Sequence, residues 1–233
     1  MSVGVAEKYD RIADGFAERS WANLEFDMQH RFSISTAWGP RLGAGDSILE
    51  IGCGDGFLAQ LLIQHGITYE GLDISPRMVA MAQRRISSAG ARARFSVGDA
   101  AQLSLNEPVD GVVSYMGAFF TFVDDPLPLL QRLRPVIRKK IILDLNPRGK
   151  ISLRQAIDMF RDAGFVNIAW RPFFVPMTVK LPRPLLSTLC MCEQVPGLRA
   201  LPLRWRFDLL IKAETTEGRM HRQRSPGRPK YFL

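Results

Sequence analysis

Cysteine and histidine are scarce in this chain of 233 residues, with three of each. Cys53 stands alone and Cys190 and Cys192 share the string CMC, so no disulfide framework can staple a chain of this length, and reduced thiols are expected. The CMC pair has no further Cys or His close to it in sequence, which leaves a soft-metal site short of ligands; no metal is expected. Long apolar runs are also missing. Nothing approaches the roughly 18 consecutive apolar residues of a membrane span, and the opening MSVGVAEKYD has mixed charge and no apolar h-region. The expectation is a soluble, cytoplasmic protein with no membrane span.

What is present fits one folded unit. At 46% apolar content the chain can bury a full core. The net charge of +8 is unevenly spread: the last fifteen residues hold Arg219, Arg222, Arg224, Arg228 and Lys230 with no acid, leaving 26 bases against 23 acids elsewhere. Rich in Pro, Gly and Arg, residues 214–233 read as a disordered basic tail and not as a nucleic-acid-binding body, so no stable nucleic-acid partner is expected.

Hydrophobic periodicity alternates along the chain. Residues 5–37 read as helical, with Ile12, Phe16, Trp21, Leu24, Met28 and Phe32 near the helical period, until WGPRLGAGD breaks the pattern. Then follow SILEIG (strand), FLAQLLIQHG (helix), ITYEGLD (strand) and SPRMVAMAQRRISSAG, a helix capped by Ser75 with Pro76 in its first turn. ARFSVGD and VDGVVSYM read as strands, DPLPLLQRLRPVIRK as a helix and KIILDLN as a strand. Such alternation predicts a doubly wound α/β fold with a mostly parallel sheet. SLRQAIDMFRDAGFVNIAW adds a helix and a strand, and RWRFDLLIKAE a last strand, which together predict a seven-stranded sheet with one antiparallel edge.

The stretch LEIGCGDGFLAQ, residues 49–60, puts Gly52, Gly54 and Gly56 where the first strand hands over to a helix. Each glycine weakens local structure by roughly 0.5 to 1 kcal/mol relative to alanine, so a ligand must approach that backbone closely. In a doubly wound sheet this turn is where a cofactor meets backbone N–H groups. The dinucleotide fingerprint G-x-G-x-x-G fails from Gly52 because position 57 is Phe, although Gly54, Gly56 and Ala59 match its relaxed form. Asp73, ending the second strand 21 residues beyond Gly52, would accept hydrogen bonds from ribose hydroxyls in either cofactor class.

LEIGCGDG resembles the acidic-x-G-x-G-x-G motif of class I S-adenosylmethionine-dependent methyltransferases, with Glu50 as the leading acid. VGDA is similar to the family's third strand end, where Asp99 and Ala100 would meet the adenine, and PVDGVVSYMGAFFTFVDDP to its fourth strand and the loop beside the transferred methyl. The resemblance covers about residues 46–145 and implies a Rossmann-like fold with S-adenosylmethionine as cofactor. It implies a cofactor site of Tyr9, Glu50, Gly52, Cys53, Gly54, Gly56, Asp73, Ile74, Met78, Asp99, Ala100, Ser114 and Tyr115. Tyr9 enters as the aromatic of an N-terminal lid. Phe119, Phe120 and Phe122 are expected in the substrate pocket, core packing being the other reading. In-line methyl displacement demands placement more than a base; if the acceptor is a hydroxyl, His30 is the candidate catalytic base.

The segment FVPMTVKLPRPLLSTLCMCEQVPGLRALPLR is explained by no strand pairing, and residues 176–204 are expected to cap the acceptor site. Arg183, Arg199, Arg204 and Arg206 suit an apolar acceptor with an anionic group. The organisation expected is an N-terminal helical lid at 1–40, a methyltransferase domain at 41–213 and the tail, acting as monomer or homodimer. The strings NPPY and DPPY, which suggest amide or exocyclic-amine chemistry in the family, are absent. That points to O- or C-methylation of a small-molecule acceptor, with a nucleic-acid or protein methyltransferase and an NAD(P)-dependent oxidoreductase as alternatives.

Overall fold

The computed structural model describes residues 2–87, 92–105, 107–116, 118–195, 197 and 208–218, and its first three strands end at or just before a Gly or Asp. Three helices come first, α1 (Ser2–Ile12), α2 (Phe16–Ser20) and α3 (Leu24–Ala37). Then β1 (Ser47–Ile51), α4 (Phe57–Gln64), β2 (Thr68–Asp73), α5 (Pro76–Arg85), β3 (Ala93–Val97) and β4 (Val109–Ser114) build the first half. The second half is α6 (Ala118–Phe122), α7 (Pro126–Leu133), β5 (Ile137–Leu145), α8 (Leu153–Asp162), β6 (Val166–Phe173), α9 (Arg183–Cys192) and β7 (Asp208–Glu214).

The seven strands lie in the order β3-β2-β1-β4-β5-β7-β6. Neighbours from β3 to β5 run parallel, whereas β7 pairs antiparallel with both β5 and β6. The antiparallel strand is therefore one in from the edge, and β6 forms the edge itself, a correction to the expected antiparallel edge. A second correction concerns β5. The helix expected over DPLPLLQRLRPVIRK stops at Leu133, and Ile137 already pairs with Val109. Pro135 disfavours continuation of the helix and the β-branched Val136 and Ile137 favour extension.

Side chains alternate across the sheet with the period of two that a pleated strand imposes. Val113, Ile142 and Leu210 enter a core shared with α3 and α4, including Ile34, Leu58 and Leu62. Their chain neighbours Val112, Ile141, Leu143, Leu209 and Ile211 enter a second core with Leu129 and Leu130 of α7 and Phe160 of α8. Both faces are covered, so the central strands are apolar throughout. Caps fix the helix starts: the Ser75 hydroxyl accepts from Met78 N–H at 3.1 Å, and Ser152 and Gln155 form a reciprocal capping box on α8. No helix among the described residues is long and apolar enough to cross a membrane.

The described part of the insertion packs on the N-terminal helices. Asn23, 4% exposed, donates to Pro176 C=O at 3.1 Å and Val179 C=O at 2.7 Å and accepts from Leu181 N–H at 3.1 Å. Arg183 pairs with Glu25 on the surface at 2.8 Å. Arg199, Arg204, Arg206 and residues 219–233 of the tail lie outside the described residues.

Gly56, with φ of 83°, is the residue before α4, and a Cβ there would stand 3.0 Å from Ala82 Cβ of α5. Gly164, with φ of 82°, has open space around it. Left-handed backbone costs a non-glycine residue about 1–2 kcal/mol, and crowding adds about 1–3 kcal/mol. Gly56→Ala is thus expected to destabilise by about 2–5 kcal/mol and Gly164→Ala by about 1–2 kcal/mol in urea denaturation; equal losses would show that α4 and α5 yield freely at Ala82.

Candidate active site

The turn after β1 is fixed by backbone bonds before any ligand arrives. Gly52 N–H and Cys53 N–H both donate to Leu72 C=O, at 2.7 and 3.1 Å, tying the turn to β2. All three glycines have positive φ, but for different steric reasons. A Cβ on Gly52 would stand 2.4 Å from Ala118 Cβ, so this glycine lets α6 approach; a Cβ on Gly54 would meet nothing within 4 Å, because it would project into a cavity. Gly54 N–H donates to Asp73 Oδ2 at 2.9 Å, and Ser75 N–H donates to Asp73 Oδ1 at 2.9 Å. Burial raises the Asp73 pKa, and the N–H groups of Ser75, Gly54 and Ile74 oppose it.

The cavity has a volume of about 690 Å³. Of the residues expected at the cofactor, Tyr9, Glu50, Gly52, Cys53, Gly54 and Asp73 line it, as do Ile74, Met78, Asp99, Ala100 and Tyr115; Phe122 lines it too. Asp99 accepts from Ala101 N–H at 2.9 Å and so sits at the head of a short 3-10 turn.

Other expected residues lie elsewhere. Ser114 is fully buried and donates to Ile51 C=O at 2.8 Å, holding β4 to β1. Gly56 packs against α5. Phe119 and Phe120 turn into the second core, where Phe120 meets Phe160 edge-on at 6.4 Å, because one short helix cannot present four consecutive residues to one side. His30 does not line the cavity. Its Nε2 lies 2.9 Å from Glu193 Oε2 and its ring stacks on Phe173 at 5.3 Å, so a base at the methyl acceptor is not where this imidazole stands.

Side chains of the N-terminal helices also line the cavity. Phe122, Tyr9, Phe16 and Trp21 meet in succession, edge to face, with centroids 6.0, 5.9 and 5.4 Å apart. Asp10 accepts from Ser75 Oγ and from Arg77 N–H, docking α1 on the start of α5 beside Asp73. The Ser75 hydroxyl and Arg77 N–H pull the Asp10 carboxyl below its ordinary pKa. Burial raises the Tyr9 hydroxyl, and Asp73 adds to the effect.

Two wall residues were not expected at the site. Trp21 Nε1 is buried and finds no hydrogen-bond partner among the described residues. Arg31, 4% exposed, pairs with Asp27 one turn earlier and lies over the Tyr115 ring at 4.9 Å and the Phe173 ring at 4.7 Å. Burial alone would lower the Arg31 pKa; Asp27, joined by Asp144, outweighs it and holds the guanidinium charged. The Tyr115 hydroxyl is shared with Ser35 Oγ at 2.7 Å. An Asp and an Arg four apart on a helix are usually a solvated pair, so only the fold reveals that this one is buried. Among the described residues, no insertion side chain lines this cavity.

Residues 48–140 match the family profile described as a methyltransferase domain. A protein of Geobacillus thermodenitrificans (strain NG80-2) described as an uncharacterized methyltransferase is 30% identical over 169 residues, 70% of this chain and 74% of that protein. The chain belongs to the class I S-adenosylmethionine-dependent methyltransferases. Solved structures share its fold at lower identity. The [4+2]-cyclase SpnF superposes with a TM-score of 0.64 at 15% identity, covering 92% of this chain and 97% of that one. Magnesium protoporphyrin IX methyltransferase from Synechocystis PCC 6803, solved with bound S-adenosylmethionine, has a TM-score of 0.54 at 18% identity, covering 92% and 81%.

Glu50, buried and accepting from Tyr69 O–H at 2.6 Å, has its pKa pushed by burial to about 8, against the opposing effects of the Tyr69 hydrogen bond and Arg31. Between an unfolded value of 4.5 and about 8, the unfolded chain releases a proton that the folded methyltransferase keeps. Its stability without ligand therefore falls as pH rises through that window, by up to about 1.4 kcal/mol per pH unit from this group. Urea melts of Glu50→Gln between those limits should show a flatter profile than wild type, with a residual slope from Asp73; parallel profiles would mean Glu50 is already ionised.

Proposed function

We propose that this methyltransferase transfers a methyl group to an oxygen or carbon of a small-molecule acceptor, with the cofactor lying along the glycine turn. The observation that carries the reading is the open space at Gly54 beside a carboxylate already held in place: each Asp73 oxygen accepts one backbone N–H and keeps a further lone pair for a ribose hydroxyl. Asp99 and the backbone of Ala100 would meet the adenine amino group, and the apolar sides of Ile74 and Met78 its ring. The unsatisfied Trp21 Nε1 and the Arg31 guanidinium are donors suited to the carboxylate of the amino-acid portion. These groups fit S-adenosylmethionine, which when bound supplies a methyl on a cationic sulfur.

The chain's own contribution is placement and exclusion of water. Tyr9, Phe16, Trp21 and Phe122 cover the cavity with aromatic faces and edges, which tolerate a cation and keep water out. Glu50 and Tyr69 hold each other at the cavity floor. Among the described lining residues there is no imidazole, so the site orients its reactants more than it titrates them.

Charge supports a small acceptor over a nucleic acid. Among the described lining residues only Arg31 and Lys150 are basic, against Asp55, Asp73, Asp99, Asp124 and Asp125, with Glu50 held neutral by burial. A phosphate backbone would be repelled from this mouth. The anionic acceptor group expected from the insertion loses its support at Arg183, which is engaged with Glu25 outside the cavity.

Incubating the protein with methyl-labelled S-adenosylmethionine and a metabolite extract should place label in the small-molecule fraction, while label confined to RNA or protein would overturn the reading. Gly54→Val is expected to remain folded and lose cofactor binding in calorimetry, because its side chain fills the cavity. Asp73→Ala should weaken binding about 10- to 150-fold, the loss of hydrogen bonds to a charged acceptor.

A further inference from the structure

We propose that His30, Cys190 and Glu193 form a zinc-binding site that staples the β6–β7 insertion to α3. The CMC string alone lacks partners, but the fold supplies them: His30 Nε2, Cys190 Sγ and a Glu193 carboxylate oxygen all lie within 4.8 Å of one another. Cys190 and Glu193 are three apart, on one face of α9 and its first residue beyond, and His30 faces them from α3. Nitrogen, thiolate and carboxylate together are the donor set of a borderline d10 cation, and three protein ligands plus a water are a stable tetrahedral arrangement. Bonds of about 2.0–2.3 Å put tetrahedral ligands about 3.3–3.8 Å apart. The widest separation in the triad therefore needs to contract by about 1 Å and the 2.9 Å His30–Glu193 contact to open by about 0.5 Å, which rotations of the partly exposed His30 and Cys190 side chains supply.

The shell around the three ligands is built to orient them. Glu193 is fully buried and its Oε1 accepts from Phe174 N–H at 2.8 Å, leaving Oε2 toward His30 at 2.9 Å. Phe173 stacks on the imidazole with an interplanar angle of 24°. Held carboxylates and stacked rings of this kind are what keep metal ligands aimed. The charges nearby oppose one another: Arg171 Nη2 lies 3.7 Å from Glu193 Oε2 and disfavours a cation, whereas the Glu193 carboxylate favours one. With the thiolate formed, the two anionic ligands outweigh the one guanidinium.

Loading is a simple exchange. The aquated zinc ion gives up water molecules, a Zn–S bond forms, and the Cys190 thiol proton leaves to solvent; no electron is transferred. The His30–Glu193 hydrogen bond is replaced by two bonds to the metal, with the imidazole proton on Nδ1. The site lies outside the cavity wall, so the ion takes no part in methyl transfer. It would fix the insertion against the helix that carries Met28 and Arg31 into that wall.

The test uses the full chain, stripped with a chelator and desalted. Zinc titrated by calorimetry should bind at about one ion per chain and raise the melting temperature. Cobalt as a spectroscopic probe should give a thiolate charge-transfer band in the near ultraviolet. Cys190→Ser is expected to lose that band, and His30→Gln to weaken zinc binding by at least about tenfold, while Cys192→Ser keeps both signals. Both informative variants alter partly exposed side chains, and their unliganded melts check that they fold. Absence of saturable zinc binding at micromolar concentration, or a band that survives Cys190→Ser, would overturn the site and leave an ordinary His30–Glu193 hydrogen bond. A band that vanishes in Cys192→Ser would equally overturn it, by assigning the thiolate to the neighbouring cysteine.

Discussion

The two backbone hydrogen bonds on the Asp73 carboxylate organise the end of the sheet that carries the cavity. One comes from Gly54 in the turn after β1 and the other from Ser75 at the start of α5, so a single side chain fixes the first two strand-to-helix transitions relative to each other. The clamp demands a residue at position 54 that can adopt φ of 53° and present its N–H without filling the cavity, which glycine alone does at no steric cost. It also buries a carboxylate, and the backbone donors offset the desolvation that would otherwise favour its neutral form. The ligand site is thus preorganised by the same bonds that hold the fold.

The lid hangs from that point. Ser75, which bonds Asp73 through its backbone, receives Met78 N–H on its hydroxyl and donates that hydroxyl to Asp10. One residue therefore serves as helix cap, carboxylate donor and anchor for α1. From Tyr9 the aromatic succession runs through Phe16 to Trp21, where Asn23 hands over to the insertion through three backbone contacts. The roof is built of contacts between elements remote in sequence, each modest alone, around a cavity whose floor is rigid.

This division explains which parts could be read from the residues. Strands β1 to β4, the glycine turn, Asp73 and Asp99 follow local rules, in which apolar runs end at a residue whose backbone or side chain is set by the next few positions. The position of β7 between β5 and β6 does not, because an antiparallel neighbour and an antiparallel edge have the same local pattern; only pairing of Leu143 with Ile211 decides it. Phe119 and Phe122 differ in fate for a similar reason. They stand three apart in one apolar string, and which of them enters the second core or meets Tyr9 depends on how α6 is seated over Gly52. Trp21 was legible only as one of the apolar residues at the helical period, and Arg31 carried no signal, since its burial is created by the packing of α3 against Tyr115 and Phe173.

The insertion, expected to cap the acceptor directly, stands one layer further out in its described part. Its contacts are to Ala22, Asn23, Glu25 and His30, on the side of the lid away from the cavity, while Met28 and Arg31 of the same helix face inward. Position 30 and position 31 point apart because successive helical residues are rotated by about 100°. The helix α3 is consequently a shared wall: its inner side is pinned by Asp27, Tyr115 and Ser35, and its outer side by the insertion. A buried Arg between two aromatic rings tolerates little displacement in a close-packed interior. Any shift of α3 by the insertion must therefore move Arg31 and Met28 together, while the insertion's contacts to Ala22 and Asn23 reach the cavity wall through the adjoining Trp21.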